Sequence, residues 1–99
     1  MTDAEKILAD LSRKDGVIGT VILTSDGVPI RSDFPENETN LYSALVAHFV
    51  QRTKKALEEI PDSGETEIIR IRSKKSELIV APYGNFIFIA VQDPFSQSK

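Results

Sequence analysis

Ninety-nine residues, 40% hydrophobic and 27% charged, supply one compact core and leave no room for a second, which excludes a multidomain enzyme. Five Gly and five Pro exclude collagen-like and low-complexity classes, and no apolar run approaches the ~20 residues of a membrane helix. A net charge of -3 argues against a general nucleic-acid binder, and with no Cys and a single His, thiolate clusters, disulfides and His-pair metal sites are excluded too. The start, Met1-Thr2-Asp3-Ala4-Glu5-Lys6, lacks the basic-then-apolar order of a secretory signal. The expectation is one cytosolic domain over residues 1–99, with no cofactor, metal, nucleic acid or membrane insertion.

Thr2 and Glu5 fit a capping box, and Ala4, Ile7, Leu8 and Leu11 recur at the spacing of a one-sided helix that Gly16 stops. Residues 17–24, Val-Ile-Gly-Thr-Val-Ile-Leu-Thr, form a short β-branched run suited to a strand covered on both faces. Ser25-Asp26-Gly27 signals a turn, and residues 28–32 return as a strand that Pro29 confines to a sheet edge. A long helix is predicted over residues 39–60, with Leu41, Leu45, Phe49, Ala56, Leu57 and Ile60 along a broad apolar stripe widened by Val46 and Val50. Pro61-Asp62-Ser63-Gly64 ends it. Strands follow over 66–73, 77–82 and 86–92, joined by turns short enough for hairpins, and residues 96–99 read as a polar tail.

Residues 86–91 are apolar throughout whereas Ile69-Arg70-Ile71-Arg72 alternates, so the last strand belongs beside the first at the centre. The expected fold is α+β: a five-stranded antiparallel sheet of order 2-1-5-4-3 with helices on both faces, in the order helix-strand-strand-helix-strand-strand-strand. One edge is then the strand 67–72. Two strands apolar on both faces, a broad helix stripe and an Ile-rich edge exceed what a chain of this size covers alone. A second copy completing the structure is the strongest physical expectation.

Candidate chemistry is sparse. His48 has no serine or acidic partner at a motif spacing and reads as a structural or interface histidine. Gly16, Gly19 and Gly27 are not spaced as a phosphate-binding loop. Arg70, Arg72, Lys74 and Lys75 put four of the 12 basic residues within six positions. That patch docks an acidic partner or phosphates, or else guards the edge by charge or pairs across strands with Glu65, Glu67 or Glu77.

The text Arg70-Ile71-Arg72-Ser73-Lys74-Lys75, then Glu77, Val80-Ala81-Pro82, Phe86, Gln92 and Pro94, closely resembles the roadblock-type light chains of cytoplasmic dynein. The likeness extends through Gly16-Val17, Gly19, Gly27, Pro29-Ile30 and the long helix. It departs from them at Tyr83-Gly84-Asn85, at residues 32–37 and in the tail. The resemblance implies a non-catalytic homodimer, formed by the long helix and the third strand, that binds the dynein intermediate chain and helps link the microtubule motor to cargo. Other dynein subunits and cargo adaptors are further expected partners, and the implied location is cytoplasmic and microtubule-associated, with cilia included. The expected interface comprises Leu45, His48, Phe49 and Arg52 on the helix with Glu67, Ile68, Ile69, Arg70, Ile71 and Arg72 on the strand. Arg70, Arg72, Lys74 and Lys75 are the expected partner-binding residues. The alternative is a regulator or scaffold for a small GTPase, since bacterial and lysosomal relatives of the fold act on such switches.

Overall fold

The computed structural model describes Lys6 and residues 16–93. The expected first helix around Ala4 to Leu11 and the polar tail lie outside the described residues. Within them run β1 (Val17–Thr24), β2 (Pro29–Ser32), α1 (Glu36–Glu58), β3 (Ile69–Arg72), β4 (Glu77–Tyr83) and β5 (Phe86–Gln92). The strands form one five-stranded antiparallel sheet in the order β2-β1-β5-β4-β3, as the sequence predicts.

β5 is central because it can be buried on both faces. Ile87, Ile89 and Val91 join Val21, Leu23 and Val80 beneath Val46 and Val50 of α1. Phe88 and Ala90 point the other way and cluster with Ile79, Ile22 and Ala81. Each fully buried aliphatic or Phe stabilises the fold by about 1.5–3 kcal/mol, so this strand carries a large share of the core. Of the helices expected on both faces, the one among the described residues covers the Ile87 face.

α1 begins after Pro35, whose φ of -58° and ψ of 158° turn the chain without a side-chain cap. Glu36 and Glu38 stand in the first turn, where negative charge complements the helix dipole. The helix spans 36–58, not the predicted 39–60, and the carbonyl of Leu57 accepts both the Ile60 amide at 3.1 Å and the hydroxyl of Ser63 at 2.6 Å. The apolar stripe read from the sequence is also displaced. The core face is Thr39, Ser43, Val46 and Val50, while Leu41 and Leu45 are 60% and 61% exposed, and Ala56 and Ile60 also face outward.

The reason lies in the β1–β2 turn, where Gly27 at φ 93° comes so close to α1 that a Cβ there would sit 3.2 Å from that of Ala47. Only small side chains fit beneath such a turn. Ser43 and Ala47 meet that demand, Thr39 is buried instead against Ser32 and Phe34, and hydrogen bonds offset the burial of the two hydroxyls. The Phe34 amide donates to Ser32 Oγ (2.9 Å), Ser32 Oγ to Thr39 Oγ1 (2.6 Å), and Thr39 Oγ1 back to the Phe34 carbonyl (3.1 Å). Ser43 Oγ donates to the Thr39 carbonyl at 2.7 Å.

β3 is shorter than predicted. Its ladder begins at Ile69, opposite Val80, so Glu67 and Ile68 lie outside the strand although β4 continues to Tyr83. Pro82 removes a ladder donor from that end of β4, and a cleft of about 700 Å³ opens between residues 65–68 and 81–84. At the other hairpin β5 pairs back on β4 through Gly84 and Asn85, with Gly84 at φ 58°, the signature of a two-residue turn with glycine first.

Candidate interaction surface

The surface most unlike an ordinary solvated face lies between α1 and the β3–β4 hairpin. A groove of about 450 Å³ runs there, lined by Leu41, Tyr42, Leu45, Val46, His48 and Phe49 from the helix and by Ile71 and Leu78 from the sheet. Its walls are almost wholly apolar. It exists because Val46 and Val50 point into the core, which leaves Leu41 and Leu45 on the flank where β3, the edge strand, offers nothing tall enough to cover them. Isolated exposed apolar side chains are ordinary, but a continuous apolar trough beside an open strand edge marks a contact surface.

Of the residues expected at an interface, the structure brings together Leu45, His48, Phe49 and Ile71 in this groove. Arg52 stands exposed one helical turn beyond His48. Ile68 is 60% exposed just before the edge strand, whereas Ile69 is half-buried and packed against the core beneath the helix. Leu41, Tyr42 and Leu78 also line the groove and were not among the expected interface residues. Leu41 carried a signal, its four-residue spacing from Leu45, which the sequence reading did place at the interface.

Arg70 and Arg72 project from the face of β3 opposite the helix, in register with Ile79 and Glu77. Arg70 reaches diagonally to Glu77, Nη2 and Nε lying 3.1 and 3.2 Å from Oε2, with side-chain exposures of 56% and 7%. That realises the cross-strand pairing weighed from the sequence. Arg72, Lys74 and Lys75 surround the hairpin tip and make no ion pair among the described residues. The tip itself is ordered. Ser73 Oγ accepts the amides of Lys75 and Ser76 at 3.3 and 3.2 Å, and the Ser73 amide donates to the Ser76 carbonyl at 2.9 Å.

Among the described residues no three His, Asp or Glu side chains gather as a metal site would require. His48 makes no hydrogen bond within the described chain and sits among aliphatic and aromatic neighbours. What this surface can do chemically is remove apolar area from water and add a strand to an open edge.

Comparison with known folds agrees with this geometry. The structure resembles a Roadblock/LC7 domain from Streptomyces avermitilis with a TM-score of 0.77 at 14% identity, covering 93% of this chain and 79% of that one. It resembles Myxococcus xanthus MglB with a TM-score of 0.77 at 16% identity, covering 98% and 83%. A third likeness, to MglB in a tetrameric arrangement, has a TM-score of 0.76 at 13% identity and covers 96% and 74%. At these identities the likeness establishes the fold. Residues 3–93 match the Roadblock/LC7 domain family, and the chain therefore belongs to it.

Proposed function

We propose that this chain pairs with itself through the β3 edge and the adjoining groove, and that the pair is a non-catalytic adaptor holding a segment of the dynein intermediate chain. The observation that carries the pairing is the apolar groove lying against an unpaired sheet edge. Burying Leu41, Leu45 and Ile68 stabilises by about 1.5–3 kcal/mol per side chain, and a two-fold pair buries each of them twice. The tetrameric arrangement known for MglB supports self-association as a use of this fold.

The dynein reading rests on the text of residues 70–75 and 80–82 with Phe86 and Gln92, together with membership of the family. An extended, disordered partner segment would be ordered by binding, and a two-fold pair holds two such segments at high effective concentration. Sedimentation should give a wild-type dimer and, for Leu45→Asp, a monomer with unchanged far-UV circular dichroism. Calorimetry with an intermediate-chain peptide should register binding to the first and none to the second. A wild-type monomer, or undiminished binding by the monomeric variant, would overturn the proposal.

A second reading, a regulator or scaffold for a small GTPase, is favoured by the likeness to Myxococcus xanthus MglB, since bacterial relatives of the fold act on such switches. Pull-down with a small GTPase loaded with either nucleotide separates the two. Capture that depends on nucleotide state supports this reading over the first.

A further inference from the structure

Beyond Val80 the outer edge of β4 has no strand against it, and Pro82 decides what can lie there. The Ser73 amide donates to the Ser76 carbonyl, which makes them a hydrogen-bonded pair, and such pairs alternate along the ladder through Ile71 and Leu78 to Ile69 and Val80. The next would join Glu67 to Pro82. Counted from the other side, Tyr83 and Phe86 close the two-residue turn, so Pro82, one step on, turns its backbone away from β5 and toward the cleft. Proline has no N–H. This wall of the cleft therefore presents a carbonyl with no strand opposite it and no donor of its own.

The facing wall is short of partners too. Residues 64–68 take part in no hydrogen bond among the described residues. Thr66 is partly exposed, yet its hydroxyl oxygen is shut from solvent with no partner. The cleft of about 700 Å³ adjoins an inner hollow of about 350 Å³ beneath the end of α1, with Lys54, Glu58, Glu65 and Thr66 on one side and residues 82–84 on the other. Glu58, Glu65 and Glu67 outnumber Lys54, and none of the four has an ion-pair partner among the described residues.

We propose that this cleft is a docking site for an arginine side chain carried by an extended segment of a partner protein, its guanidinium entering the inner hollow between the Pro82 carbonyl and the carboxylates of Glu58 and Glu65. A strand added to β4 needs a donor and an acceptor from it, and Pro82 withholds the donor. Arginine carries five donors and no acceptor, so it serves the carbonyl and a carboxylate together, and the Thr66 hydroxyl after one step about χ1. Its methylenes lie along Ile68, which is 60% exposed at the mouth. The inner hollow is complete within one copy, and six residues of strand set it about 20 Å from the basic hairpin tip, so the site depends on neither the self-pairing nor the dynein reading. The turn that closes it, Tyr83-Gly84-Asn85, is also where the sequence departs from the dynein light chains.

Titration of the isotope-labelled full chain with the peptide acetyl-Val-Arg-Val-amide, followed by nuclear magnetic resonance, tests this. Saturable shifts are expected at the amides of Glu65, Thr66, Tyr83 and Gly84, and none with the glutamine counterpart of the peptide. Glu58→Gln with Glu65→Gln should weaken binding about fivefold, most of it lost in concentrated salt. Thr66→Val should weaken it about threefold and yet raise the melting temperature of the free chain, since an apolar group of the same shape replaces the orphaned hydroxyl. Circular dichroism checks that each variant is folded. Shifts centred elsewhere, equal response to both peptides, or variants that bind like wild type would overturn the site, and equal binding of the lysine peptide would overturn the choice of arginine. If wild type ignores the peptide but a chain with Arg72, Lys74 and Lys75 replaced by Ala binds it, cations of a second copy fill the cleft and the assignment to a partner protein falls.

Discussion

Gly19 has a strand's place and no side chain because another residue already occupies the space. A Cβ there would lie 2.7 Å from Cζ of Phe34, whose ring packs at 5.2 Å, centroid to centroid, on Tyr42 of α1. Gly19→Ala must displace a ring braced by the helix, with an expected destabilisation of about 1–3 kcal/mol by overpacking. Phe34→Leu in the same chain should recover part of it, and urea denaturation of the four members of the cycle measures the coupling. Thr39 makes the companion case for polarity. Thr39→Val keeps the shape but leaves Ser32 Oγ without its acceptor and the Phe34 carbonyl without its hydroxyl donor, a loss of about 1–3 kcal/mol in the same assay. A substitution that proved neutral at 39 would mean that water replaces the hydroxyl.

At the scale of elements, what was legible in the sequence followed from strong local signals. β1 and β5 were legible as runs of apolar and β-branched residues, Pro29 marked β2 as an edge, and the hairpins fixed the sheet order. The core face of α1 was not legible, because Ser43 lies beneath a turn remote in sequence and Thr39 is tied by its hydroxyl to Ser32 and Phe34, neither of which helical periodicity encodes. The groove was legible in part: Leu45, His48 and Phe49 were expected at an interface, while Leu41, Tyr42 and Leu78 were not. β3 was overextended because alternation continued through 67 and 68 while Pro82, across the sheet, ended the pairing. Within that hairpin the Arg70–Glu77 pair joins a half-exposed guanidinium to a buried carboxylate. Solvent screens the arginine, so Arg70→Ala should cost no more than about 1 kcal/mol in thermal unfolding. A larger loss would mean that the arginine matters mainly to keep the Glu77 carboxylate from being buried without it.

On the scale of the whole molecule, the two halves of the surface beside β3 differ in kind, and so do their expected roles. The groove is dry and apolar, suited to tight, permanent contact, while the hairpin tip gathers Arg72, Lys74 and Lys75 on a turn held rigid by Ser73. Pairing the edges of two copies would bring both tips onto one extended sheet. An acidic partner segment would then meet cations carried on a hydrogen-bonded turn, whose main effect is to speed encounter and set its salt dependence, with apolar anchors supplying most of the affinity. Under the proposed self-pairing, replacing Arg72, Lys74 and Lys75 together by Ala should therefore leave the dimer and its thermal stability unchanged. If the pair holds an intermediate-chain segment as proposed, association with that peptide should weaken about three- to tenfold at low salt and lose most of its dependence on ionic strength. Stopped-flow binding at two salt concentrations reads this directly, since the loss belongs to the association rate. If dissociation accelerated instead, the tip would be part of the buried contact and not its rim, and the anchoring residues would have to be sought on the hairpin itself.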